Sequence, residues 1–358
     1  MRFFRSAVVR LVTVLFVTSF CFAQNNAATL IGEGHYKQGR IAVEQQLANN
    51  PSNVAALVLK ARLYLAYNEY ENAIKLLKSA IARDSANSDA HVYLAEAYGQ
   101  KIEHIAVFAK IGMAENIRKE GELAVAADPQ NLDALESLME FHIEAPGSVG
   151  GSKDKARELA ARIAVLDPIR GNFAYAEIAV HEKRFADEKK FLLKALAADP
   201  KSYDALIAVA RLFLRDPALD YGAAADYATK AIKVDSTRAR AYSLLAQSYA
   251  GQGQFEQLQQ LLSRAEAQVP DDFSPFFYAS KTLLGTGSHP ALAETYLRKY
   301  LAQEPEGEAP TLAEAHWRLG QALEQQGRKE DAVREIQDAL RIKPDLKAAR
   351  KDLDRLTS

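Results

Sequence analysis

The chain has 358 residues, of which 48% are hydrophobic and 25% charged, the proportions of a folded protein rather than a disordered one. Its 45 lysine and arginine residues nearly balance 46 aspartate and glutamate residues, so no overall field favours nucleic acid or an acidic membrane. The one cysteine is Cys21. A chain processed beyond it would have no disulfide, no thiol nucleophile and no cysteine-ligated metal.

Residues 1–23 have the pattern of a signal peptide. Arg2, Arg5 and Arg10 precede an apolar run at 11–20 that is too short to span a bilayer, and a cleavage-like Cys-Phe-Ala follows. A signal anchor is the alternative interpretation. The remaining chain has no Asn-x-Ser/Thr glycosylation acceptor, which fits an exported bacterial protein. We therefore expect a periplasmic or secreted protein that does not insert into the membrane after cleavage.

A short tail recurs along the rest of the chain. The tails end at residues 51, 85, 129, 168, 200, 236, 270, 305 and 344, each with proline or serine last. Neighbouring tails are 34, 44, 39, 32, 36, 34, 35 and 39 residues apart. A period near 34, with helical apolar spacing and no alternating strand pattern, indicates an array of two-helix repeats.

The first four units vary in length. Segment 24–51 supplies only part of a unit, and 54–85 is a full one. The third unit has an insertion at 100–113 that is apolar enough to lengthen both of its helices. The fourth carries a glycine-rich turn at 145–151, where Pro146 ends one helix and the glycines permit positive φ.

The later units keep closer to the period. The eighth has a turn at 285–290, and an irregular segment at 306–310 separates it from the ninth. Residues 345–358 are amphipathic and highly charged, which is typical of a helix that caps the open end of a repeat array.

The ninth unit, 311–344, shows the repeat most clearly. Apolar residues form one stripe on each helix, namely Leu312, Ala315, Leu319, Ala322 and Leu323 on the first and Ala332, Val333, Ile336, Ala339 and Leu340 on the second. Gly320 is small, so neighbouring backbones can approach closely, and Pro344 cannot continue the second helix. In these positions the unit resembles the tetratricopeptide repeat, a helix–turn–helix unit of 34 residues.

The resemblance implies an all-α fold, a right-handed α-solenoid of helix–turn–helix repeats. One helical hairpin cannot bury its own apolar face and needs copies of itself on either side. We divide the chain into a signal peptide at 1–23, a solenoid at 24–344 and a capping helix at 345–358. The solenoid has about eight full repeats and a partial first one.

No catalytic constellation stands out. The seven histidines include no i, i+4 pair with a partnering glutamate, and His142 with Glu140 is a weak candidate at most. The glycine-rich stretch at 147–153 lacks Gly-Lys-Ser/Thr and follows a helix rather than a strand, which excludes a phosphate-binding loop. We expect no enzymatic activity, no catalytic residues, no cofactor and no metal.

Tetratricopeptide repeats bind partners on a concave face formed by their first helices, and by analogy positions 2, 5 and 9 of each repeat point into it. The resemblance implies a groove that is acidic in its N-terminal half, basic in its C-terminal half and supplied with aromatic anchors. The acidic positions are Asp89, Glu96, Asp133, Glu136 and Glu140. The basic positions are Arg211, Arg215, Arg240 and Lys281, and the aromatic ones are Phe173, Phe277 and Trp317. A solvated face whose charges balance by chance is the alternative.

We therefore predict a non-enzymatic protein–protein interaction scaffold of the bacterial cell envelope. Its concave groove would bind a protein or peptide partner and no nucleic acid. The alternative is a periplasmic ligand-binding or carrier subunit of a transport system, because the turns at 145–151 and 285–290 resemble those of transporter-associated periplasmic tetratricopeptide proteins. A closed, apolar-lined pore would favour the carrier, and an open, charged groove would favour the scaffold.

Overall fold

A computed structural model describes residues 27–358, which form nineteen α-helices and no β-strand. The first ten helices are α1 (Ala27–Gly32), α2 (Tyr36–Asn49), α3 (Val54–Ala66), α4 (Tyr70–Arg83), α5 (Ser88–Ile102), α6 (Val107–Ala127), α7 (Leu132–Glu144), α8 (Lys153–Leu166), α9 (Pro168–His181) and α10 (Phe185–Ala198). The others are α11 (Tyr203–Leu212), α12 (Tyr221–Val234), α13 (Ala239–Gly251), α14 (Phe255–Gln268), α15 (Ser274–Gly285), α16 (Pro290–Leu301), α17 (Leu312–Gln325), α18 (Lys329–Ile342) and α19 (Lys347–Thr357).

Consecutive helices pair into nine hairpins, from α1–α2 to α17–α18, and α19 packs on the last of them. This all-α solenoid of repeats confirms the predicted fold class. Within residues 27–358, every helix is too short or too polar to cross a bilayer. The signal peptide predicted at 1–23 lies outside the described residues.

Most of the recurring tails are turns held by side-chain hydrogen bonds. In the tail ending at residue 129, Asp128 Oδ1 accepts the N–H of Gln130 at 2.9 Å, and Asn131 then caps α7 by accepting the N–H of Ala134 at 3.2 Å. The same two roles are played by Asp84 with Asn87 and by Asp199 with Ser202. Aspartate ends the helices and asparagine or serine starts them because their oxygens bond the free backbone donors there.

Small residues bring the two helices of a hairpin together. A Cβ atom on Gly320 in α17 would lie 2.5 Å from Cγ1 of Ile336 and 3.1 Å from the carbonyl oxygen of Ala332, both in α18. The expected close approach at Gly320 is therefore confirmed. The buried core continues from hairpin to hairpin as a series of adjoining clusters, so each repeat is stabilised by its neighbours.

The insertion at 100–113, whose structure the sequence left open, lengthens both helices of the third hairpin, since α5 reaches Ile102 and the 21-residue α6 begins at Val107. The turn at 145–151 contains a short 3-10 segment, and Gly150 has a φ of 102°. His142 is buried beneath this turn, with Nδ1 3.1 Å from the carbonyl oxygen of Gly150. The structure thus gives His142 a packing role.

The array closes on itself through Lys37, at the start of α2. The Lys37 backbone N–H donates to Oε1 of Glu306 at 2.6 Å, and its Nζ donates to the carbonyl oxygens of Asp271 at 2.6 Å and Glu304 at 2.7 Å. Gln38 Nε2 adds a bond to Oδ2 of Asp271 at 3.1 Å. The first hairpin therefore contacts the turns that follow α14 and α16, whereas repeats in most solenoids contact only their neighbours.

Gly307 permits this closure. Its φ is 29°, and a Cβ atom there would lie 2.2 Å from Cδ2 of Tyr36, so the backbone passes directly against the ring. The irregular segment at 306–310 is thus the part of the C-terminal half that meets the N-terminal hairpin.

We expect Gly320→Ala to lower the free energy of unfolding by about 1–3 kcal/mol, because the added methyl group overpacks the α17–α18 contact. Gly112→Ala in α6 is the matched control. No atom lies within 4 Å of a Cβ there, so this change should stabilise the chain by roughly 0.5–1 kcal/mol. Urea unfolding followed by circular dichroism measures both, and equal effects would contradict the packing assignment.

We expect Gly307→Ala to open the closure, because the methyl group would overlap the Tyr36 ring. Gly287→Ala is the matched control, since Gly287 also has positive φ (67°) but has no atom within 4 Å of its Cβ position. A Gln38→Cys/Asp271→Cys pair, bridged by a short bismaleimide, reports the contact. Cross-linking should slow markedly in the Gly307 variant only, and unchanged rates would show that the closure does not need Gly307.

Candidate binding site on the concave face

Three of the four basic residues predicted for the groove meet in one cavity. Arg211 and Arg215, on α11 and just after it, and Arg240 on α13 line a space of about 490 Å³ together with Arg238. The opposite wall comes from the N-terminal hairpin and the 306–310 segment. We call this space the arginine cavity, defined by Arg211, Arg215, Arg238 and Arg240.

Two of these arginines are already paired within the chain. Arg215 forms an ion pair with Glu188, whose side chain is buried. Arg238 Nη2 donates to Oδ1 of Asp204 at 3.0 Å, and its guanidinium lies 3.8 Å from the centre of the Tyr203 ring. Their charges are therefore largely compensated on the walls of the cavity.

The other two arginines lie toward the open space. Arg240 Nη2 donates to Oε2 of Glu308 at 3.3 Å, in a pair that is half exposed on both sides. Arg211 makes no side-chain hydrogen bond or ion pair with any described residue. The pKa of Arg211 lies below its ordinary value, mainly because the cavity reduces the solvation of the guanidinium and secondly because Arg240 repels it. Tyr278 and Glu308 have the opposite effect and raise the pKa.

Tyr36 and Glu308 separate the arginine cavity from a second cavity of about 390 Å³. Arg62, Tyr93 and Glu96 line this second space, and Arg62 lies 4.9 Å from the centre of the Tyr93 ring. The Glu96 carboxylate is accessible to solvent, but the surrounding walls reduce its solvation and raise its pKa to about 7. Glu308, Glu140 and Asp133 add to this rise, and Arg62 opposes it.

Three other predicted acidic residues, Asp133, Glu136 and Glu140, lie on α7, next to Arg170 and Glu177 of α9. Arg170 binds two of them, with Nε donating to Oε1 of Glu136 at 2.7 Å and Nη2 donating to Oδ1 of Asp133 at 2.5 Å. Loss of solvation raises the pKa of Glu140, and it raises that of Glu177 to about 7 with help from Glu140. We call this region the acidic face, defined by Glu96, Asp133, Glu136, Glu140 and Glu177.

The two remaining charged predictions lie outside these groups. Asp89 is exposed at the start of α5, where Asn131 Nδ2 donates to its Oδ1 at 2.8 Å. Lys281 is exposed on α15, one turn beyond Tyr278, and is not part of the lining of the arginine cavity.

The predicted aromatic anchors do not form a binding surface. Phe277 is only 5% exposed and packs against Tyr300, with ring centres 5.4 Å apart, so its assignment to the groove is wrong. Phe173 is half-buried against the cluster formed by α9 to α12. Trp317 Nε1 donates to Oδ2 of Asp352 on α19 at 2.8 Å. At these positions a large ring reaches the next helix of the array instead of the groove.

The sequence reasoning missed several residues of this surface. Arg170 and Glu177 stand in the same repeat register that selected Phe173, so the register alone could have found them. Tyr36, Glu306 and Glu308 gave a weaker signal, because the two glutamates lie in an irregular segment between two repeats. Their role depends on a contact between the ends of the array.

One group of side chains among the described residues has the composition of a metal site. Ligand atoms of His316, Glu335 and Asp338 lie within 4.8 Å of one another. His316 Nδ1 is 2.7 Å from Oε2 of Glu335, and His91 Nδ1 is likewise 2.6 Å from Oε2 of Glu120 in the third hairpin. Because the same histidine–glutamate hydrogen bond occurs inside two hairpins, we interpret it as a contact that holds the two helices of a hairpin together.

The raised pKa values of the acidic face predict how its stability depends on pH. Glu96 and Glu177 titrate near 7 in the folded chain and near 4.5 ordinarily, so the folded chain holds protons that the unfolded chain loses between these values. Stability should therefore fall as pH rises from about 4.5 to 7. A Glu96→Gln/Glu177→Gln variant should match the wild type near pH 4.5 and exceed it at pH 7.5 in urea midpoint. Glu256→Gln, on the exposed side of α14, is the control and should leave the wild-type pH dependence unchanged.

Comparison with known proteins identifies the repeat in two parts of the chain. A family model described as Tetratricopeptide repeat matches residues 27–88, 58–100 and 281–347. No curated protein sequence matches the chain.

Several solved structures are similar in their helical hairpins. A thermophilic tetratricopeptide repeat protein of Thermus thermophilus has 21% identity and a TM-score of 0.47, over 55% of this chain and 99% of its own. A tetratricopeptide repeat protein of Parabacteroides merdae has 14% identity and a TM-score of 0.45, over 85% and 99%. Human IFIT1 has 16% identity and a TM-score of 0.48, over 92% and 79%. These TM-scores are all below 0.5, so the family assignment depends on the sequence matches and the hairpins alone.

The sequence matches cover both ends of the described array, and the same capped hairpins continue through the residues between them. The described array therefore contains tetratricopeptide repeats at residues 27–100 and 281–347.

Proposed function

We propose that this chain is a non-enzymatic scaffold of the bacterial cell envelope that binds a protein or peptide partner on its concave face. Tetratricopeptide repeats are in general non-catalytic interaction modules, which supports a scaffold over an enzyme. The pattern of a signal peptide at 1–23 supports export.

The observation that carries this proposal is the separation of charge along the concave face. The arginine cavity lies at α11 and α13, and the acidic face lies on α5, α7 and α9. A surface with one basic and one acidic end orients a partner of complementary charge and excludes partners with the wrong charge. Arginine is also enriched among the residues that dominate binding energy at interfaces.

A second candidate is the ligand-binding subunit of a transport system. The closure through Lys37 turns part of the groove into a cavity of about 490 Å³, which is within the usual range of roughly 300–1,000 Å³ for small-molecule sites. The lining includes eight charged side chains, however, and this favours the scaffold.

Site-specific photo-cross-linking in intact cells tests the scaffold. A photoreactive amino acid at Gln247, in the lining of the arginine cavity, should capture a specific envelope protein. The same amino acid at Gln259, exposed on α14 of the same hairpin, is the matched control and should not capture it. Capture at Gln259 alone, or equally at both positions, would contradict binding of the partner on the concave face.

Fractionation of the same cells tests the location. We expect a chain cleaved near residue 23 in the periplasmic or secreted fraction. An uncleaved chain in the cytosol would contradict the proposed location in the cell envelope.

A small ligand that binds in the arginine cavity, with no envelope protein cross-linked at Gln247, would favour the ligand-binding subunit of a transport system.

A further inference from the structure

Among the described residues, one cation of the arginine cavity, Arg211, forms no ion pair. Of its four guanidinium groups, Arg215 and Arg238 are paired with Glu188 and Asp204 on the walls. Arg240 has a single exposed partner, and Arg211 has none among the described residues. An unpaired guanidinium presents five N–H donors and no acceptor, so its natural ligand is a carboxylate or another oxyanion.

Two of the acidic residues that line the cavity have hydrogen-bond partners other than its arginines. Oε1 of Glu306 accepts the backbone N–H of Lys37, and Oδ1 of Asp272 accepts the backbone N–H of Ser274 at 2.7 Å. The charged groups that act on Arg211 are Arg240 and Glu308. The side of the cavity formed by Arg211 and Arg240 is therefore basic, although the whole lining is nearly neutral.

The chain itself places one carboxylate at this side. Glu308 reaches into the concave face from the irregular 306–310 segment, where its Oε2 accepts a bond from Arg240 at 3.3 Å. The pair is long and more than half exposed on both side chains, so it is weak and can be exchanged for another carboxylate. The segment around Glu308, Glu-Gly-Glu-Ala, is itself a short acidic peptide.

We propose that Arg211 and Arg240 form a binding site for the carboxylate side chains of an acidic segment of the partner, and that Glu308 is the chain's own competitor for this site. The partner's carboxylate bridges the two guanidinium groups, accepts hydrogen bonds from Arg211 and displaces Glu308 from Arg240. Ser243, Gln247 and Tyr278 line the same space and supply neutral hydrogen-bonding groups beside it. The inference rests on the proposed function, because it names the chemistry of the partner that the concave face accepts.

Fluorescence anisotropy with a labelled peptide of alternating glutamate and glycine tests the site. The peptide with glutamine in place of glutamate is the control ligand. The wild-type chain should bind the glutamate peptide, bind the glutamine peptide at least about tenfold more weakly, and lose affinity as salt is added.

Substitutions of the two arginines and of Glu308 should change the affinity for the peptide in opposite directions. Arg211→Gln and Arg240→Gln should each weaken binding by about tenfold, because each removes a charge-assisted hydrogen bond. Glu308→Gln should tighten binding by about threefold or more, and only while Arg240 is present. Arg350→Gln, an exposed arginine on α19, is the matched control and should bind as the wild type does.

Wild-type affinity in Arg211→Gln and Arg240→Gln, or unchanged or weaker affinity in Glu308→Gln, overturns the proposal. Helix content and the Gln38–Asp271 cross-link are checked in every variant, and Arg240→Lys, which keeps the charge, should retain part of the affinity. Free glutarate that binds as tightly as the peptide would overturn the assignment to a partner segment and leave a site for small acids.

The two proposals fail in different ways. If Gln247 captures a partner equally in the wild type and in Arg211→Gln, the carboxylate site is wrong and the scaffold stands. If the glutamate peptide binds as expected but no envelope protein is captured at Gln247, the scaffold is wrong and the carboxylate site stands.

Discussion

The concave face depends on the bonds made by Lys37. One ammonium group donates to carbonyl oxygens in two turns of the C-terminal half, and the backbone N–H of the same residue donates to the buried Glu306. Closing a loop of this length would cost considerable entropy in a flexible chain. Here the intervening hairpins are rigid and bring the ends together, so a few hydrogen bonds are enough to hold them. Without this contact the two cavities would be a continuous open groove.

Closure also explains why charges rather than aromatic rings define the candidate site. The interior of a repeat array needs large side chains between neighbouring hairpins, and Phe173, Phe277 and Trp317 are used there. The first helices are left with charged side chains toward the concave face. Walls on several sides then reduce the solvation of these charges, which raises the pKa values of Glu96 and Glu177 and lowers that of Arg211. An opposite charge on a partner interacts more strongly with such partly desolvated groups than with groups on a flat, fully solvated surface.

Much of the fold could be predicted because it is local. The tails mark the turns, since Asp128 and its equivalents bond the backbone two residues later and the following asparagine or serine caps the next helix. The close packing at Gly320 was predictable from its place in the repeat, whereas the apolar content of the insertion at 100–113 left helix and loop both open. The repeat register also placed Asp133, Glu136 and Glu140 on one helix, and the structure brings them close to Glu96 and Glu177. It failed for Phe277 because a register selects a direction on a helix and does not show how far the neighbouring helix extends.

The sequence by itself determined the class of the fold and the positions of the helical hairpins along the chain. Each of these follows from interactions between residues close in the chain, and these recur with the repeat. Only the tertiary structure decided that the array closes, that Glu308 lies on Arg240 and that Arg211 is left without a partner among the described residues. Lys37 and Glu306 are 269 residues apart. Their meeting depends on the summed rotation of all the hairpins between them, which no single repeat encodes.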